Sequence, residues 1–359
     1  MSVHPSVSVW AATLNHLLPS ICVPVRKALA SFSLAMVLAR HCFSSRIASS
    51  VPTSSAVAST RRRFERLLAN CHLDNEAVTA DLVRTLAMAW PGRPWTLIID
   101  ETDKDEHIRS VQVLLAYKHR AIPLAVRAFR PDKHGRPAMI LRLLKRIRDN
   151  LPADTQVTVL TDRGLSWPAL LRFCQKSRWH YVLRIQSQTS VWPEGAQAYS
   201  RADAFIPARK NKPFACRARV FKVAGWCDCW FTAVRAKGSK EPGLLISDQP
   251  GAWRQYRRYG QRPWCEEAFR DEKSSGFCWR QSHVEDPAHA TRLLVVMMLA
   301  MLLCLALGSH LVKRGLRKLL DPHIKRLWSY FTLGLRWLSH VFASPSETRL
   351  PLPVPLVPV

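Results

Sequence analysis

The residues best placed to do chemistry in this chain of 359 are carboxylates that end apolar runs or stand beside cations. Asp100 follows "WTLII" and Asp162 follows "VTVLT". A carboxylate at the carboxyl end of a strand leaves the core, where an open sheet presents its functional groups. Either aspartate taken alone reads better as a turn or cap residue. A more specific pattern is formed by Tyr259, Arg262, Glu266 and Lys273, spaced Y-x2-R-x3-E-x6-K. On one continuous helix the last three fall at about 300°, 340° and 320° from Tyr259, so all four share a stripe. A carboxylate between two cations and a phenol suits a phosphodiester: the carboxylate takes metal and the cations take phosphate oxygens. Pro263 interrupts that stripe, because proline is tolerated only in a helix's first turn. The regular helix is therefore expected to begin there, with Glu266 and Lys273 on one face and Tyr259 and Arg262 in the turn before it.

The elements that must position these groups are legible as apolar runs. From Trp95 come "WTLIID", "SVQVLLAYK" and "AIPLAVRAFR", then a helical "PAMILRLLKRIRDNL", then "QVTVLTD", a helical "SWPALLRFCQKS" and "HYVLRI". Three strands followed by alternating helices and strands predict an α/β domain with a mixed sheet, the first three strands antiparallel because their connections are short. That order resembles the ribonuclease H-like fold. Residues 1–90 carry helical patterns separated by a Ser/Pro/Thr-rich stretch, Ser44 to Thr60, expected to be a flexible joint. The catalytic domain is expected over 91–185 and 244–310, with a β-rich insertion over 186–243. A basic region with a Pro-rich, extended tail follows over 311–359.

Fifty-three Lys and Arg against 26 Asp and Glu give a formal charge of +27, which calls for a polyanionic partner, nucleic acid before an anionic membrane. The charge is spread along the chain, as in Arg61-Arg62-Arg63, residues 208–222 and "KRGLRK" from Lys313. The ten cysteines are scattered and lack zinc-site spacing, which predicts reduced thiols and a cytoplasmic setting. His4, Pro5, Asn15, His16 and Pro19 interrupt the N-terminus, which argues against export. The one membrane-like stretch, Leu293 to Gly308, falls short of the roughly 20 residues needed to span a bilayer and reads as a core helix.

Other acids compete less well. Asp103, Asp105 and Glu106 belong to a polar turn, and Asp248 ends a short apolar run without the following helix. Asp286-Pro287 reads as the N-cap and first residue of the apolar helix. Trp192, Trp226 and Trp230 in the insertion read as buried core residues rather than base-stacking platforms.

At its chemical residues the chain resembles the DDE transposases of bacterial insertion sequences in family four, whose hallmark is the same Tyr-Arg-Glu-Lys signature. "IIDET" is similar to the family's first-Asp strand, "LTDRG" to its second, and "YGQRPWCEEAFRDEKS" to its Glu helix. The resemblance implies Asp100, Asp162 and Glu266 as a catalytic, metal-binding triad. It implies Tyr259, Arg262 and Lys273 as DNA-binding contacts to the transposon end. It also implies double-stranded DNA as partner, the terminal inverted repeats as substrate, an N-terminal DNA-binding region and a homodimer on DNA. Three carboxylates can hold two Mg2+ ions, with Mn2+ as a substitute, for cleavage and strand transfer. The alternatives are a structure-specific nuclease of the same fold and a catalytically inactive DNA-binding derivative.

Overall fold

The computed structural model describes residues 5–131, 136–343 and 358. The expectation of an extended tail concerns residues outside that set, Pro358 apart. Five helices precede the first strand: α1 (Pro5–Leu17), α2 (Val23–Ala39), α3 (Ser44–Ser50), α4 (Val57–Ala69) and α5 (Asn75–Ala89). The expected flexible joint is thus largely helical. Ile47 and Ala48 of α3 and Phe64, Leu67 and Leu68 of α4 are buried, and this burial fixes the segment despite its polar composition. The apolar faces of α1 to α5 join the same continuous core as the strands that follow.

β1 (Trp95–Asp103), β2 (Arg109–Tyr117) and β3 (Arg120–Phe129) form the expected antiparallel meander. Lys118 and His119 turn the β2–β3 hairpin with φ of 45° and 65°, the left-handed pair that a two-residue turn requires. Then come α6 (Arg136–Arg148), β4 (Val157–Thr161), α7 (Pro168–Lys176) and β5 (His180–Arg184). The strands β4 and β5 run parallel to β1, so the sheet is mixed, an arrangement compatible with a ribonuclease H-like fold.

The insertion strands β6 (Ser190–Pro193), β7 (Ser200–Arg201), β8 (Phe214–Val220) and β9 (Cys227–Val234) extend that sheet. They do so because β10 (Gly243–Ser247) pairs with β5 on one side and β9 on the other. Ten strands result, ordered β3-β2-β1-β4-β5-β10-β9-β8-β6-β7. At this outer edge Trp192, Trp226 and Trp230 are only partly buried, contrary to expectation. Trp192 and Trp226 instead pack edge to face near the surface, 5.5 Å apart.

Two short helices, α8 (Ala252–Tyr259) and α9 (Trp264–Arg270), lead to the long α10 (Pro287–Lys313) and to α11 (Tyr330–Ala343). Asp286 caps α10 by accepting from the His289 amide, as the Asp-Pro pair foretold. At 27 residues α10 is longer than its apolar run, and by length and composition it could cross a membrane. The length argument from sequence therefore fails, yet its apolar window is wholly buried against β3, α2, α4 and α11. Gly308 and Gly334 permit the α10–α11 contact: a Cβ on either would stand 1.8 Å from the Tyr330 carbonyl or 1.9 Å from that of Cys304.

Candidate active site

Parallel pairing puts Ile99 of β1 beside Thr161, the last residue of β4, so Asp100 and Asp162 are neighbours. Contrary to the sequence reading, Asp100 is not the end of its strand, since β1 runs three residues further against β2. It is reachable because β4 stops one residue short of it, leaving the sheet open on that side.

The Tyr-Arg-Glu-Lys segment is not one helix. Tyr259 closes α8, Arg262 lies in the turn before Pro263, Glu266 is in the first turn of α9, and Lys273 sits in a wider π-helical turn, Asp271–Ser275. A helix begins at Pro263, the N-cap of α9, as expected, but Tyr259 belongs to a separate helix capped by Gly260, and the angles calculated for a continuous α-helix do not apply across two changes of geometry. The turn nevertheless delivers these side chains to the carboxylates. Arg262 Nη2 lies 2.8 Å from Asp100 Oδ2 and 3.8 Å from Asp162 Oδ2, and its Nη1 lies 2.6 Å from Glu266 Oε1. One guanidinium thus ties together carboxylates from β1, the β4 end and α9. The Tyr259 hydroxyl donates to Asp162 Oδ1 at 3.3 Å, and Arg184 Nη1 approaches the same oxygen at 3.6 Å.

These charges perturb one another. Burial pushes the Asp100 carboxyl above its ordinary value against the pull of Arg262. Burial works against the charged guanidinium of Arg262, but Asp100, Cys265 and Asp162 outweigh it and raise its pKa further. Burial, then the Asp162 charge, pushes the Tyr259 phenol up, so it stays a protonated donor at neutral pH. Cys265, whose thiol donates to Asp100 Oδ2 at 3.4 Å, is likewise held protonated by burial and by that carboxylate.

A cavity of about 560 Å³ opens beside the carboxylates, lined among others by Asp100, Arg262, Glu266, Lys273 and Arg280. Burial, then Arg280, lowers the Lys273 ammonium from its ordinary value. Among the described residues neither cation has an ion-pair partner, so both are available to an anion. Beneath them Gln112, opposite Asp100 in the β1–β2 ladder, donates to the buried carboxyl of Glu272 at 2.9 Å. Burial holds Glu272 protonated, with its pKa pushed up to about 8, and that of its neighbour Asp271 to about 7.

Arg184, Cys265, Arg280 and the Gln112–Glu272 pair escaped the sequence reading, since no spacing rule links them to the signature. The competing acids have structural work instead. Asp248 accepts from the Tyr181 amide and pairs with His180, Asp105 caps the polar turn, and Asp103 pairs with Arg109. All ten cysteines are free.

Hard divalent cations prefer oxygen donors, and three carboxylates facing one another need a cation among them. The donor set fits such an ion. In this conformation the Arg262 guanidinium supplies the positive charge, and no group of three or more His, Cys, Asp or Glu among the described residues stands ready-made for a metal. No curated protein matches the sequence. Residues 88–303, well over half the chain and spanning both aspartates, the insertion and the Arg262–Glu266 turn, match the family model of the transposase DDE domain, and the chain belongs to that family.

Proposed function

We propose that this transposase cuts and rejoins the ends of an insertion sequence of family four, with Asp100, Asp162 and Glu266 as the catalytic carboxylates. The observation that carries this reading is their convergence, from three separate elements, on one guanidinium. The three would hold two divalent ions, Mg2+ or Mn2+, which when bound supply an activated oxygen nucleophile and neutralise the leaving oxygen. Arg262 then serves the DNA: released from the carboxylates, its planar fork suits a phosphate of the transposon end. Tyr259 orients Asp162 through its protonated hydroxyl, and Lys273 with Arg280 holds a phosphate in the adjoining cavity.

The N-terminal region is proposed to bind the terminal inverted repeats. Support comes from α4, whose exposed Arg61, Arg62 and Arg66 line a groove of about 1130 Å³ shared with residues 282–285 and His289. It is larger than the cavity at the carboxylates. A homodimer on DNA and a cytoplasmic setting complete the proposal, and the burial of α10 removes the motive for a membrane partner.

The test is incubation of the purified protein with the DNA flanking its own coding region and Mg2+, with the cut and joined ends mapped. Asp100→Asn, Asp162→Asn and Glu266→Gln should each abolish cleavage while DNA binding persists, since metals serve the transition state more than the ground state. Near-normal cleavage by any one variant removes that residue from the set, and cutting without joined products indicates a nuclease.

A further inference from the structure

The link that leaves the insertion returns to the catalytic carboxylates. β4 and β5 are parallel and end together, with Thr161 beside Leu183, so Asp162 and Arg184 lie at one end of the sheet. β10 runs antiparallel to β5, with Leu245 opposite Arg184, and therefore begins at that same end. The residues between the end of β9 at Val234 and the start of β10 at Gly243 are thereby delivered beside Asp162. Glu241 is one of them.

Glu241 Oε2 lies 2.6 Å from Arg184 Nη2 and 3.0 Å from Arg163 Nη2. One carboxylate oxygen thus bridges the residue that follows Asp162 and the guanidinium that approaches it. The Ser239 hydroxyl donates to the Glu241 carbonyl at 2.6 Å, and Arg184 Nη2 donates to the Pro242 carbonyl at 3.5 Å, which ties the link to the strand. Arg184 is largely buried, and among the described residues its ion-pair partners are Glu241 and Asp162. The two are unequal, at 2.6 Å and 3.6 Å, so Glu241 draws the guanidinium away from Asp162 Oδ1. Coulomb attraction strengthens as charges approach and water is excluded. Without Glu241 the guanidinium is left with Asp162 and closes on it as a charged hydrogen bond. A metal ion would then have to displace Arg184 from Asp162 as well as Arg262 from Asp100 and Glu266.

We propose that Glu241 is a positioning residue: by holding Arg184 off Asp162, it keeps that carboxylate open to a divalent ion. The proposal rests on the reading of Asp162 as a metal-holding carboxylate. It makes the return link of the insertion a support of the active site, acting through Arg184 rather than by contact with the ion. The competing account is a direct electrostatic pull of Glu241 on the ion, which would not depend on Arg184.

The experiment titrates the full chain with Mn2+ in the absence of DNA and reads the free ion by electron paramagnetic resonance. Glu241→Ala should weaken Mn2+ binding about tenfold, the lower end for groups that orient a metal ligand. In an Arg184→Gln background the same substitution should change the affinity less than about twofold, because the guanidinium it restrained is gone. Glu241→Gln, which keeps the shape without the charge, serves if the truncation lowers the melting temperature. The proposal is overturned if Glu241→Ala binds Mn2+ as tightly as the wild type, or if its loss persists undiminished in the Arg184→Gln background. Asp162→Asn is titrated alongside and should weaken binding more than Glu241→Ala does. If Asp162→Asn binds like the wild type, the carboxylate reading fails and this proposal with it. If Asp162→Asn is weakened while Glu241→Ala is not, the role of Glu241 alone falls.

Discussion

Arg262 and Asp100 are held 2.8 Å apart in a largely buried pair, and the same guanidinium reaches Glu266 at 2.6 Å. The arginine therefore neutralises the group of carboxylates that divalent ions would otherwise neutralise. Arg262→Ala should cost about 3 kcal/mol of stability in chelator, the usual scale for stripping the partner from a buried carboxylate. Mg2+ or Mn2+, binding the folded state, should restore more stability to this variant than to the wild type. Thermal melts with and without metal check this, and equal metal-induced shifts in the two proteins would refute it.

Lys273 shares the cavity with Glu266 but touches none of the carboxylates. Lys273→Ala should weaken binding of the specific DNA end by about 1.5–3 kcal/mol, the scale of one charged hydrogen bond, yet retain metal-dependent nicking at saturating DNA. Glu266→Gln should not be rescued by DNA concentration. If Lys273→Ala is equally dead at saturation with its circular dichroism intact, the lysine belongs to the chemical step.

Glu272 carries a pH dependence whose sign follows from its burial. Its folded pKa, about 8, lies above the ordinary 4.5, so the folded state holds the proton more tightly. Its stabilising contribution is complete below about 4.5 and is lost as pH rises towards 8, at about 1.4 kcal/mol per pH unit within that window. Asp271 acts in the same sense up to about pH 7. Glu272→Gln keeps a hydrogen-bonding partner for Gln112 and should flatten urea-denaturation stability across pH 5 to 8. An unchanged slope would mean that Glu272 ionises in the fold like an exposed carboxylate.

Gly308 and Gly334 should tolerate no side chain. Gly308→Ala drives a methyl into the Tyr330 carbonyl and Gly334→Ala into that of Cys304. Each should cost about 3 kcal/mol or more, at the upper end for overpacking, and free α11 to proteases. A loss under about 0.5 kcal/mol in either variant would show that α10 and α11 do not pack this closely.

The alternation of strand and helix patterns was enough to give the succession of the first five strands along the chain and to place Asp100 and Asp162 just after apolar strand runs, because side-chain periodicity records local burial. Pro263 likewise announced the break between Tyr259 and Glu266, and Asp286-Pro287 the start of α10. What the sequence could not convey depends on contacts between distant residues. The extension of β1 past Asp100 is decided by its pairing with β2, and the place of Arg262 at the centre of the carboxylates by how the turn docks on β1 and β4. The departure from α-helical geometry at Lys273 accompanies burial of Asp271 and Glu272, which no angular rule anticipates. The apolar run in α10 has the composition of a membrane span and of a core helix alike; only the elements that cover it distinguish the two.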